Sequence, residues 1–180
     1  MELHQLCLRY LSLQIYLLIN DKYETYSQFT TCLPNRQVHH SHLMPRILSI
    51  DYGLKRTGIA VTDPLQIIAT GLTTVESKQL IPFLKDYFSK EQVELIIIGE
   101  PKNWDDTDTH ATPLVEKCIK DLNKNFPHMP IKKVDERYTS KMAKDSMIEM
   151  GLKKKDRRNK ALVDEIAATI MLQEYLQRIG

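Results

Sequence analysis

Acidic side chains that follow apolar segments are the clearest chemical signal in this chain. Asp51 comes directly after the apolar run 47–50, and a glycine loop that carries Lys55 and Arg56 follows it. Side chains at the ends of neighbouring strands meet at one edge of a sheet, so this acid and these cations would share a site. Carboxylates bind hard cations such as Mg²⁺, and Lys and Arg bind phosphate. The spacing therefore predicts metal-dependent chemistry on a phosphodiester.

Further acids occupy comparable positions later in the chain, namely Glu100, Asp135, Glu136 and Asp164. Acids that converge from distant positions are what a site with two metal ions about 3.5–4 Å apart requires for phosphodiester cleavage. Asp164 lies beside a core-facing stripe, where an unpaired charge is costly, and this favours a functional role. Glu100 also fits an exposed turn, and Glu136 also fits an ion pair with Arg137. The residues alone leave open which of Glu100, Asp135 and Glu136 is the middle carboxylate.

Positive charge is concentrated in one part of the chain. The net charge of the whole chain is only +2, but residues 131–160 contain eleven Lys and Arg against five Asp and Glu. Such a stretch gains affinity for nucleic acid by releasing phosphate counterions, and Lys141 within it is a candidate for binding substrate. A solvated helix face is the alternative explanation.

The apolar pattern predicts an α/β domain with the element order βββ-α-β-α-β-α-α. Predicted strands cover residues 46–51, 57–62, 69–75, 93–98 and 131–134, and predicted helices cover 77–89, 112–123, 141–150 and 161–179. Ser77 is expected to cap the first helix, and the basic residues 153–160 are expected to be flexible. Because three strands form a meander and two more enter through helical crossovers, we expect a mixed five-stranded sheet with helices on both faces.

Residues 1–43 differ from the remainder, and we expect them to be an extension that is disordered or results from a mis-assigned start. The functional domain is predicted to be 44–180. The apolar stretch 6–19 is too short and too polar to span a bilayer, and no secretory signal pattern is present. Three scattered cysteines indicate neither a disulfide framework nor a zinc site. These features predict a cytoplasmic protein with no membrane partner.

Four ordered motifs resemble the YqgF family of bacterial RNase H-like nucleases. They are Asp51-Tyr-Gly-Leu-Lys-Arg-Thr-Gly-Ile-Ala, Gly99-Glu-Pro, Asp135-Glu-Arg-Tyr-Thr-Ser and Asp164-Glu-Ile-Ala-Ala-Thr-Ile-Met-Leu. The match extends from Met44 to the C-terminus and leaves residues 1–43 outside it. The resemblance implies an RNase H-like fold and a cytoplasmic nuclease linked to trimming the 5′ end of precursor 16S rRNA. The family was earlier proposed to contain Holliday junction resolvases.

The resemblance also implies roles for individual residues. The acidic positions of the family, which would be catalytic and hold the metal, match Asp51, Glu136 and Asp164, and its basic positions match Lys55, Arg56 and Arg137. Many members have Gly-Leu-Pro where this chain has Gly99-Glu100-Pro101. Glu100 is therefore either an additional catalytic ligand or neutral, and the middle carboxylate stays open between it and Glu136.

The leading hypothesis is a hydrolase, a metal-dependent endonuclease that uses Mg²⁺ or Mn²⁺ on structured RNA such as precursor rRNA. The alternative is a Holliday junction resolvase acting on branched DNA, which would need a symmetric dimer to cut two strands. The sequence leaves open a monomer or a homodimer. Two lesser alternatives are a non-catalytic RNA-binding module and an actin-like ATPase, although the chain is too short for the two domains that such an ATPase needs.

Overall fold

The structure of the protein is a computed structural model that describes residues 44–101, 111–135, 139–149 and 151–179. All of them belong to one unit, Met44–Gly180. The expectation for residues 1–43 falls outside the described residues, as does the part of the chain that contains Glu136 and Arg137. Among the described residues, no helix has the length and apolar character that crossing a membrane requires.

Five strands form one mixed sheet in the order β3-β2-β1-β4-β5. They are β1 (Arg46–Tyr52), β2 (Arg56–Thr62), β3 (Ala69–Glu76), β4 (Val93–Glu100) and β5 (Ile131–Asp135). The first three strands pair antiparallel as a meander, whereas β4 runs parallel to β1 and β5 runs parallel to β4. The predicted RNase H-like, mixed five-stranded sheet is confirmed, and all five strands begin within one residue of the predicted position.

Four α-helices accompany the sheet. They are α1 (Leu80–Phe88), α2 (Thr112–Asn125), α3 (Thr139–Glu149) and α4 (Lys160–Ile179). Two local predictions were wrong. Ser77 begins a short 3₁₀-helix and its hydroxyl donates to the Gly53 carbonyl oxygen instead of capping α1. The segment expected to be flexible contains a second 3₁₀-helix, Asp156–Arg158, closed by backbone hydrogen bonds from Asp156 and Arg158 to carbonyl groups three residues earlier.

Apolar layers cover both faces of the sheet because alternate residues of a strand point to opposite sides. One face, here called the α2 face, packs against α1 and α2 through Leu48, Ile50, Ile96, Ile98, Leu84, Val115 and Leu122. The other, here called the α4 face, packs against α4 through Ile47, Ala60, Ile97, Val134, Ala168 and Leu172. The central strand β4 is covered on both sides, which explains its continuous apolar run.

Helix α4 lies unusually close to the sheet at one glycine. A Cβ atom added to Gly58 would lie 2.1 Å from the backbone oxygen of Asp164, whereas a Cβ added to Gly71 would meet the end of the Glu165 side chain. Gly58 is also the partner of Asp51 in the β1–β2 pairing. The missing side chain at Gly58 therefore lets the first turns of α4 close over the end of β1.

Replacing Gly58 with alanine is expected to destabilise the fold by about 1–3 kcal/mol, because the added methyl group must push the α4 backbone away from β2. The matched change Gly71→Ala should cost clearly less, since the end of a glutamate side chain can rotate aside. Urea unfolding of the two variants measures the difference. Equal destabilisation would show that the close approach at Gly58 has no special importance.

Candidate active site

The candidate site lies at the edge of the sheet where β1 ends and β2 begins, on the α4 face. Asp51 is on the same face as Ile47 because the two residues are four positions apart in one strand. Asp164 lies in the second turn of α4, directly over Gly58. The cleft between these elements has a volume of about 340 Å³ and is lined by Asp51, Gly53, Leu54, Lys55, Arg56, Lys160 and Asp164.

Burial and mutual repulsion perturb the two acids of this cleft. Removal from water raises the pKa of Asp51 to about 7, and the negative charge of Asp164 adds to the shift. Burial also raises the pKa of Asp164, although the Arg56 guanidinium and the Lys160 ammonium act in the opposite direction. Two neighbouring carboxylates with raised pKa values form a site that a cation would relieve.

Three cations surround the acids. The Arg56 Nε donates to Asp164 Oδ2 at 3.0 Å, and this bond orients the carboxylate from the β2 side. Lys160 lies one helical turn before Asp164, and Lys55 is exposed on the opposite wall of the cleft. Arg56 is thus engaged with an acid, whereas the two lysines are placed to meet an anionic ligand at the mouth of the cleft.

The loop that carries Lys55 and Arg56 is tied to the start of the 3₁₀-helix that follows β3. The Ser77 hydroxyl donates to the Gly53 carbonyl at 2.6 Å, and the Ser77 backbone N–H donates to the Lys55 carbonyl at 3.1 Å. The buried Thr57 hydroxyl donates in turn to Ser77 Oγ at 3.1 Å. Gly53 N–H donates across the loop to the Arg56 carbonyl at 3.0 Å. Four hydrogen bonds therefore restrict the loop that forms one wall of the cleft.

Glu100 and Asp135 are not brought to the acid pair. They are neighbours in the β4–β5 pairing, and the alternation of their strands places them on the α2 face, away from Asp51. There Lys133 Nζ donates to Glu100 Oε1 at 3.1 Å and also to the Glu116 carboxylate of α2. The strand periodicity, which has a repeat of two residues, separates these acids from the site although all lie at the same edge.

The remaining candidates are placed as follows. Glu136 and Arg137 lie outside the described residues, and Lys141 is exposed in the first turn of α3. Sequence reasoning missed Gly58, because nothing in a single sequence shows which glycine permits close packing. It also failed to single out Lys160, although a spacing of four residues from Asp164 in one helix indicates a shared side.

The donor set fits a hard divalent cation. Two carboxylates offer oxygen ligands of the kind that Mg²⁺ and Mn²⁺ prefer, and their raised pKa values show that they lack full compensation for burial. Within the described residues, Asp and Glu with His and Cys form no cluster of three or more suited to a metal ion. The described part of the site therefore accounts for two protein ligands.

Comparison with known proteins connects this geometry to a family. A model of the RuvX family, described as Holliday junction resolvase, matches residues 45–178. A protein of Flavobacterium psychrophilum named "Putative pre-16S rRNA nuclease" is 62% identical over 135 residues, which is 75% of this chain and 98% of that protein. A protein of the same name from Bacteroides thetaiotaomicron is 55% identical over 134 residues, covering 74% of this chain and 97% of that protein.

One solved structure shows a more distant likeness. It is described as T. thermophilus RuvC in complex with Holliday junction substrate, and it matches with 16% sequence identity and a TM-score of 0.47. The match covers 76% of this chain and 96% of that chain.

The raised pKa values predict how stability depends on pH in metal-free protein. A carboxyl group whose pKa is about 7 in the folded state and 3.8 when unfolded favours folding below pH 4, and this contribution is lost as the pH rises to 7. Asp51→Asn should therefore raise the Tm at pH 8 by several degrees relative to wild type and change it little at pH 4. Thermal unfolding in EDTA at both pH values measures this. A Tm difference that is the same at both pH values would contradict the prediction.

Proposed function

Because this chain belongs to the RuvX family, which is also called the YqgF family, we propose that it is an endonuclease that hydrolyses phosphodiester bonds in precursor 16S rRNA. The observation that supports this proposal most directly is the pairing of Asp51 with Asp164 at the floor of a cleft whose rim carries lysines. The substrate follows from the name shared by relatives that are 54–62% identical to this chain. Ribosomal RNA processing is consistent with a cytoplasmic location.

Asp51 and Asp164 would hold Mg²⁺ or Mn²⁺, and we propose Glu136 as the third ligand. Glu136 directly follows β5, and it is two positions beyond Val134, which packs on the same face as Asp51. When bound, the divalent cation supplies Lewis-acid stabilisation of the phosphate and a bound water of lowered pKa. Glu100 is a poorer choice as ligand, because it faces α2 and pairs with Lys133.

The protein side chains have separate tasks in this mechanism. Arg56 holds Asp164 by a 3.0 Å hydrogen bond, so this carboxylate keeps one orientation while substrate enters. Lys55 and Lys160 neutralise phosphate oxygens beside the acids, and Arg137 and Lys141 are proposed to extend this contact along the strand. Asp51 accepts a proton easily at neutral pH, because burial holds its pKa at about 7. Binding of a cation then requires that proton to leave.

A second candidate function is the cleavage of Holliday junctions, which the description of the matching family favours. Contacts to phosphates position a nucleic acid without reading its sequence, so the cleft accepts RNA and DNA backbones alike. A resolvase must cut two strands symmetrically and therefore needs a homodimer. Mass measurement in solution, with a monomer as the result at working concentration, would weigh against this function.

Cleavage of a precursor 16S rRNA 5′ fragment and of a four-way DNA junction tests the proposal. The full chain with Mg²⁺ or Mn²⁺ should cut the RNA, and Asp51→Asn should lower the rate by at least about 100-fold, because it removes a ligand charge that the catalysis requires. The control is Asp86→Asn, an exposed acid of α1 that pairs only with Lys90 among the described residues. Full activity of Asp51→Asn would refute the assignment, and cutting of the junction alone would favour the resolvase.

The basic segment before α4 is expected to bind the phosphate backbone. Lys153, Lys154 and Lys155 are exposed, and replacing all three with glutamine should weaken RNA binding and lower the salt-dependent slope by about 0.7 per lost contact with single-stranded RNA. The control variant replaces Lys117, Lys120 and Lys124, which are exposed on α2 and carry the same charge. Identical slopes for both variants would mean that the segment is only a solvated surface.

A further inference from the structure

An apolar side chain stands on the rim of the charged cleft. Leu54 is 72% exposed, more than any other large hydrophobic residue that the structure describes, and it immediately precedes Lys55. The exposed residues Leu65 and Ile67 lie at the opposite edge of the sheet, in the β2–β3 turn. Single exposed leucines are common on protein surfaces. This one differs from them because it lines the cleft that contains the acid pair.

The loop that carries Leu54 cannot readily bury it. Hydrogen bonds from Ser77 fix the backbone on both sides of the residue, at the Gly53 and Lys55 carbonyl groups. The Gly53 N–H bond to Arg56 closes the same loop. Leu54 is therefore presented to solvent by a restrained backbone, and an occupant of the cleft would meet it in that position.

A nucleic acid strand in this cleft offers an apolar partner for such a side chain. Phosphates would lie against Lys55 and Lys160, so the sugars and bases of the same nucleotides must lie beside the phosphates, at the rim. The faces of nucleobases are apolar, and leucine is among the side chains that proteins insert between base steps. A paired duplex keeps these faces stacked, whereas unpaired nucleotides expose them.

We propose that Leu54 packs against a nucleobase next to the scissile phosphate and makes the enzyme prefer strands whose bases are unpaired at the cut. This inference rests on the proposed nuclease function and specifies its substrate further. Lys55 and Arg56 act on charge, which paired and unpaired strands share. Leu54 supplies the only apolar side chain among the described residues that line the cleft, apart from glycine, and discriminates by base stacking.

Cleavage of one RNA in two states tests the preference. The precursor fragment is used alone and annealed to a complement that pairs the nucleotides around the cut. Wild type should cleave the unpaired state at least about tenfold more efficiently in kcat/KM, since the paired state must first be unstacked. Leu54→Ala should reduce this preference about threefold or more, while Leu54→Met retains it. Leu65→Ala, a leucine exposed at the other edge of the sheet, is the matched control.

A preference that survives in Leu54→Ala, or equal cleavage of both states by wild type, overturns the inference. Base contact is measured separately from cleavage by placing 2-aminopurine beside the cut, in complexes with the Asp51→Asn background. Its fluorescence should change on binding, and the change should be lost on adding Leu54→Ala but not Leu65→Ala. If wild type cleaves neither RNA, the nuclease proposal fails, and this fluorescence result alone decides the role of Leu54. An identical signal in both double variants refutes it.

Discussion

The close approach of α4 to β2 at Gly58 is the contact on which the rest of the site depends. Any larger side chain there would overlap the backbone oxygen of Asp164, so the missing Cβ sets the distance between helix and sheet. Gly58 pairs with Asp51 across the strands, and the same contact therefore brings together two acids that are 113 positions apart in the chain. Loss of this packing would separate the carboxylates without changing either of them.

Electrostatic cost accompanies this arrangement. Two carboxylates are held near each other and partly away from water, and burial raises the pKa of both. The protein offsets part of the cost with Arg56, which binds Asp164, and leaves Asp51 with a pKa of about 7. Such uncompensated charge is typical of sites that receive a cation or a proton during their reaction, and the fold retains it although it lowers stability at neutral pH.

Secondary structure was largely predictable from the sequence because both of its periodicities are strong here. The apolar run of β4 and the spacing in α4 each have one interpretation that buries their side chains, and the sheet order followed from the meander and the two crossovers. Predictions failed where a side chain has two local options. Ser77 was expected to cap a helix, but the carbonyl of Gly53, 24 residues away, competes for its hydroxyl.

By itself the sequence determined the elements, the candidate acids and the basic loop, since residue type and short-range spacing express these directly. Only the tertiary structure decided which candidates meet. Asp51 and Glu100 both lie near strand ends, yet the register of β1 and β4 turns one toward α4 and the other toward α2. A strand shows the alternation of its own side chains, but the face that each set occupies depends on the helices packed against the whole sheet.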